Sequence, residues 1–163
     1  MTTAVLSIGS NLGDRLAAVQ SAVDLFRPWL VALSPVYETP PWGQVPQGDF
    51  LNVVLVVADA SASAADWLDR AHAAERAAGR TRDVRWGPRT LDVDVVDVDQ
   101  RSSDDPALLL PHPRAGERAF VLVPWLAVQP HAQLSSRPLR DLLAALAPDE
   151  VTRVRARPDL VVV

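Results

Sequence analysis

The chain has 163 residues and 48% hydrophobic content, enough for one compact domain with one buried core and too little for two ordinary ones. It has no cysteine, which excludes disulfides and thiolate metal sites. With neither a basic-then-apolar leader nor a run near the roughly 18 apolar residues of a membrane span, it is expected to be a soluble, cytoplasmic monomer. All 16 cationic residues are Arg, so a phosphate loop built around lysine is excluded. Net charge is -4, yet between Arg76 and Arg89 five Arg stand against one Asp. A basic island in an acidic chain suits a small polyanion rather than nucleic acid, which needs a broad basic face.

In chain order, Val5, Leu6 and Ile8 predict a strand ending at the turn cluster Gly9-Ser10-Asn11-Leu12-Gly13. Asp14 caps a helix whose buried face is Leu16, Val19, Val23 and Phe26, and Pro28 stops it. Val31 to Tyr37 reads as an edge strand broken by Pro35, and residues 39–48, with three prolines and two glycines, as a surface loop. Phe50 to Val57 is a central apolar strand. Ser63 and Asp66 form a capping box for a second helix, with Ala64, Trp67, Leu68, Ala71 and Ala78 inward and Gly79 as its end. Leu91 to Val98 is a further strand, Phe120 to Val128 and Leu139 to Leu146 are helical, and Leu160 to Val163 is expected to add a short edge strand. The order strand, helix, strand, strand, helix, strand is that of a ferredoxin-like α+β sandwich, a mostly antiparallel sheet with helices packed on it.

Leu91-Asp92-Val93-Asp94-Val95 alternates strictly, so both carboxylates project from one strand face about 7 Å apart. Two carboxylates so placed repel unless a cation lies between them, and hard oxygen ligands suit Mg²⁺ that completes its shell from water and phosphates. The plain alternative is a solvent-facing strand, which the Arg-rich segment immediately upstream disfavours. Trp86 reads either as a hydrophobic anchor or as a nucleotide contact. Asp97 and Asp99 break the alternation and are expected at the surface. Phe50 and Asn52 share a strand face. The Asn52 amide needs partners there, supplied either by backbone or by a flat heterocycle on which Phe50 stacks. His112, between two prolines, is rigidly presented; His72 and Glu75, one helical turn apart, read from spacing as surface residues.

The strings Gly9-Ser10-Asn11-Leu12-Gly13-Asp14, Glu38-Thr39-Pro40-Pro41-Trp42-Gly43, Phe50-Leu51-Asn52, Gly79-Arg80-Thr81-Arg82, Arg85-Trp86-Gly87-Pro88-Arg89-Thr90-Leu91-Asp92-Val93-Asp94 and Pro111-His112-Pro113-Arg114 occur in this order. Together they resemble the 6-hydroxymethyl-7,8-dihydropterin pyrophosphokinase family of folate biosynthesis. The resemblance implies an ATP-dependent diphosphokinase that gives AMP and the pterin pyrophosphate, with two Mg²⁺ on Asp92 and Asp94. It further implies that Thr39, Pro41, Trp42 and Asn52 contact the pterin between Phe50 and Phe120. Glu75, Arg82, Arg85, Trp86, Arg89, Val95, His112 and Arg118 line the ATP site by the same mapping, and Arg80, Arg82 and Arg89 join the aspartates as catalytic residues, Arg80 and Arg82 on a closing loop. The chain departs from the family pattern at Ala107 and Leu109, where relatives often carry a basic and a hydroxyl residue, and at Pro113 and His72.

Two other classes compete. A nucleotidyltransferase would use the same Asp pair, but there the pair follows Gly-Ser closely, whereas here most of the first half of the chain intervenes. A non-catalytic ferredoxin-like binding module has no need of two carboxylates beside five arginines.

Overall fold

The computed structural model describes residues 1–41, 47–79 and 91–163. Its elements are β1 (Thr2–Ser10), α1 (Arg15–Phe26), β2 (Leu30–Leu33), β3 (Tyr37–Thr39), β4 (Phe50–Asp59), α2 (Ala64–Ala77), β5 (Asp92–Val98) and the hairpin β6 (Ser103–Asp105) and β7 (Leu108–Leu110). There follow α3 (Ala119–Val128), the hairpin β8 (Gln133–Leu134) and β9 (Arg137–Pro138), α4 (Leu139–Ala144), α5 (Pro148–Thr152) and β10 (Arg155–Ala156). The main sheet runs β10-β3-β4-β1-β5, with β2 also on β4, and each of its ladders is antiparallel. The fold is the expected ferredoxin-like α+β arrangement, and no helix among the described residues is long and apolar enough to cross a membrane.

Apolar residues occupy nearly every position of β4, so both of its faces must be covered. In place of the expected single core there are two apolar layers. On one face Leu6, Ile8, Leu51, Leu55 and Val93 meet Val19, Val23 and Phe26 of α1 and Trp67 and Ala71 of α2. On the other, Val5, Val54 and Val96 meet Val121, Leu122 and Trp125 of α3 and Leu139 and Leu142 of α4. A fully buried Leu or Phe is worth about 1.5–3 kcal/mol of transfer free energy, so these layers dominate the stability of the sheet. Trp67 also donates through Nε1 to Thr2 Oγ1 at 2.8 Å, and Arg70 stacks over Trp29, its Cζ 3.8 Å from the ring centre.

Local signals account for most boundaries. The Asp14 carboxylate accepts from the Ala17 amide at 3.1 Å and starts α1. Gly79 adopts φ +72, the left-handed conformation that ends α2. Pro35 divides the predicted edge strand into β2 and β3, and between them Ser34 exchanges two bonds with Val54, backbone to backbone and Oγ to amide, both at 2.9 Å. The C-terminal edge strand is Arg155–Ala156 rather than Leu160 to Val163; Leu160 and Val162 instead pack against the apolar layer beside α1.

Ser63 Oγ accepts from the Asp66 amide at 3.2 Å and Asp66 Oδ2 from the Ser63 amide at 2.8 Å, closing the predicted capping box. Ser63→Ala is expected to lower stability by about 1 kcal/mol in urea unfolding with an unchanged m-value, and no loss would show that α2 is held by packing alone.

Candidate active site

The strand register assembles the site. Gly9 pairs with Asn52 of β4 on one side and with Asp92 of β5 on the other. Directly paired residues project from the same sheet face, so amide and carboxylate flank the glycine, two strand spacings or roughly 10 Å apart. A Cβ at Gly9 would lie 2.9 Å from Asn52 Oδ1 and 3.3 Å from Phe50 Cδ1. Glycine is therefore required for close approach, a role that the turn cluster in the sequence did not reveal.

On β3 and β4, Asn52 and Thr39 are buried and Asn52 Nδ2 donates to Thr39 Oγ1 at 2.8 Å. This side-chain partner replaces the backbone partner that the sequence left open. Thr39 and Phe50 form the last rung between β3 and β4. A cleft of about 230 Å³ opens beside them, lined by Thr39, Pro41, Ala119 and Phe120 together with Glu150 and Arg153 near the C-terminus. The structure thus brings together the predicted Thr39, Pro41, Phe50, Asn52 and Phe120.

On β5, Asp92 and Asp94 are half-buried on that same face, while Val93 and Val95 point into the opposite apolar layer. Val95 therefore has only its backbone to offer a ligand on the site face. Glu75 is buried rather than exposed, and its Oε2 accepts the amide of Val93 at 3.0 Å, pinning the strand between the two aspartates. Arg118 NH1 lies 3.6 Å and His112 Nε2 4.0 Å from Asp94 Oδ2, and the Arg118 guanidinium also stands 5.5 Å from the centre of the Phe120 ring. Ala107 and the exposed Leu109 sit on the β6–β7 hairpin. Trp42, and Arg80, Arg82, Arg85, Trp86 and Arg89 of the predicted arginine loop, lie outside the described residues.

A β-bulge places His112. Leu6 pairs with Val95 and Val5 with Asp97, so Val96 is one residue too many, and its carbonyl accepts the His112 amide at 2.8 Å. The same bulge turns Asp97 inward. Expected at the surface, it is buried, and desolvation raises its carboxyl above the usual value although the Gln100 amide binds its Oδ2 at 3.1 Å. Burial first, and then the Arg118 charge, push the His112 imidazole down to about 4.

Two carboxylates on one sheet face are a donor set that fits a hard divalent cation completing its shell from water and phosphate oxygens. The face thus carries a pair of carboxylates at one end and an aromatic and amide pocket at the other.

Residues 5–130 match the family model described as 7,8-dihydro-6-hydroxymethylpterin-pyrophosphokinase (HPPK). The 2-amino-4-hydroxy-6-hydroxymethyldihydropteridine pyrophosphokinase of Mycobacterium tuberculosis is 50% identical over 168 residues, covering 95% of this chain and 89% of the relative. Its namesake from Methylorubrum extorquens is 39% identical over 158 residues, covering 94% and 99%. Among solved structures, Plasmodium falciparum HPPK-DHPS with SDX-DHP superposes with a TM-score of 0.69 at 14% identity, over 88% of this chain; the chain spans 44% of that one, and this likeness concerns the fold. The chain belongs to the 7,8-dihydro-6-hydroxymethylpterin-pyrophosphokinase family.

Gly9→Ala is expected to displace the Asn52 amide and weaken pterin binding at least about tenfold in fluorescence titration while ATP-analogue binding holds, since a displacement of about 1 Å is costly. Equal weakening of both ligands would contradict this placement. The His112 imidazole should stay neutral from pH 8 down to about 5.5 in an NMR titration of the ligand-free protein. Because its folded value lies below the ordinary 6.5, its contribution to stability is intact above that value and falls as pH drops toward 4. A titration midpoint near 6.5 would contradict the burial.

Proposed function

We propose that the chain transfers the pyrophosphoryl group of ATP to 6-hydroxymethyl-7,8-dihydropterin, giving AMP and the pterin pyrophosphate, with two Mg²⁺ held by Asp92 and Asp94. The observation that supports this reading is the row Asn52, Gly9, Asp92, in which an amide and a carboxylate flank a glycine on one sheet face.

The pterin lies between Phe50 and Phe120, with its polar edge on Asn52 and Thr39. The Asn52 amide carries both donor and acceptor groups, and its bond to Thr39 fixes which way it faces. In the reaction the hydroxymethyl oxygen bonds to the β-phosphorus, the bond from that phosphorus to the oxygen retained by AMP breaks, and the hydroxyl proton is released. Bound Mg²⁺ supplies charge neutralisation on the phosphate oxygens and orientation of the chain of phosphates. Arg118 holds its guanidinium at Asp94, where it adds a fixed positive charge toward the triphosphate, and neutral His112 offers a hydrogen bond without further charge. In the proposal Arg80, Arg82, Arg85, Trp86 and Arg89 complete the nucleotide side and help exclude water.

Chromatography of the nucleotide product is expected to show AMP formed one for one with pterin pyrophosphate; ADP would overturn the reading. Asp92→Ala and Asp94→Ala should each lower kcat by at least about a hundredfold, or ~2.7 kcal/mol, in a protein that still unfolds cooperatively. Full activity in both variants would remove the metal assignment.

A further inference from the structure

The C-terminal segment from Val154 onward lies beyond the stretch matched by the family model, and apart from the wall of the cleft it takes no part in the mechanism above. It is nevertheless tied to the site strands. In β10 Arg155 pairs with Glu38 and Ala156 with Tyr37, and the Arg157 amide donates to the Val36 carbonyl at 2.9 Å. The chain then crosses α1, where the Val163 amide donates to Gln20 Oε1 at 3.0 Å and Arg27 donates to the Val163 carbonyl oxygen.

Three guanidiniums converge on Glu38. Arg15 of α1 reaches Oε2 at 2.6 Å, and Arg157 and Arg155 reach Oε1 at 2.9 and 3.3 Å. Two of them also grip the neighbouring strand end, Arg15 donating to the Asp49 carbonyl at 3.0 Å and Arg155 to Asp49 Oδ2 at 3.1 Å. Glu38 and Asp49 immediately precede Thr39 and Phe50, the last rung of the β3–β4 ladder. Each of these two arginines therefore spans the two strands at the point where the acceptor pocket begins.

Glu38 pairs with Leu51, which faces α1, so the Glu38 side chain projects from the opposite side of the sheet to the pocket residues Thr39 and Phe50. The cluster is also charge-balanced, with Arg15, Arg155 and Arg157 against Glu38, Asp49 and Asp159, so it is not built to attract phosphate. Isolated exposed pairs such as Arg153 with Asp149 contribute little. A largely buried carboxylate shared by three guanidiniums is a different case, because each bond restrains groups already ordered by the others. The hydrogen bond from Arg15, more than any other contact, holds the Glu38 carboxyl below its usual value, so it stays ionised within the cluster.

We propose that Glu38, Arg155 and Arg157, with Arg15, are positioning residues that fix the spacing of Thr39 and Phe50 and thereby set the affinity of the acceptor pocket. The inference rests on the pterin reading of that pocket. Its test compares wild type, R155A/R157A and Glu38→Gln, with Ser63→Ala as a variant weakened far from the cluster. Binding of 6-hydroxymethylpterin is followed by its fluorescence in the presence of an ATP analogue with a methylene between the α- and β-phosphates, and binding of the analogue alone is measured separately. The expected result is a rise of about tenfold in the Kd and KM for the pterin, with analogue affinity and kcat within about twofold, and no change in pterin affinity for Ser63→Ala. Pterin affinity unchanged in both cluster variants, or lost in step with analogue affinity, would overturn the proposal. If R155A/R157A fails to fold, Glu38→Gln, which keeps the side-chain volume, decides by the same readings. A wild type that binds the analogue but no pterin would overturn the functional reading itself, and this inference with it.

Discussion

The arrangement depends on one constraint, the antiparallel pairing of Gly9 with both Asn52 and Asp92. β1 is the inner strand between β4, which carries Asn52, and β5, which carries Asp92, and at this rung it must carry no side chain. A Cβ there would meet Asn52 Oδ1 at 2.9 Å, closer than van der Waals contact permits. Because side chains alternate along strands, a slip of one residue would send Asn52 and Asp92 to the opposite face. The two apolar layers oppose such a slip, since it would move Leu6 and Leu55 out of the layer packed on α1 and α2 and turn Asn52 and Asp92 into it.

Around that rung the electrostatics are graded. Glu75 spends an oxygen on the Val93 amide and holds β5 from behind, while Asp92 and Asp94 keep their carboxylates on the site face. Arg118 and neutral His112 border Asp94, so a fixed positive charge stands beside the carboxylate pair. On the proposed reading, a cation and a polyphosphate bound together would each neutralise charge left by the other.

Much of this was legible in the sequence, for identifiable reasons. Asp92 and Asp94 could be placed on one face because strand periodicity is local, and the capping box and Gly79 because helix ends are written in a few adjacent residues. Pro35 marked the break between β2 and β3 for the same reason. Features set by distant pairings were hidden. Asp97 looked superficial because the bulge at Val96 depends on register against Val5 and Leu6. Glu75 looked superficial because its partner is 18 residues away, and Gly9 looked like part of a turn because the neighbours that require it come from β4. The C-terminal strand was misplaced because Leu160 and Val162 carry apolar character without strand pairing, whereas the paired residues, Arg155 and Ala156, carry no strand signal.

On the proposed reading a single sheet row sets the cation beside the Asn52 amide, and NMR with Mn²⁺ as the divalent ion and an ATP analogue tests this. At roughly 10 Å, two strand spacings, the side-chain NH₂ signals of Asn52 should broaden beyond detection with the first equivalents of Mn²⁺ in the wild type and remain sharp in the Asp92→Ala/Asp94→Ala variant. Asn52 signals that stay sharp in the wild type while the ATP analogue is bound would contradict the account.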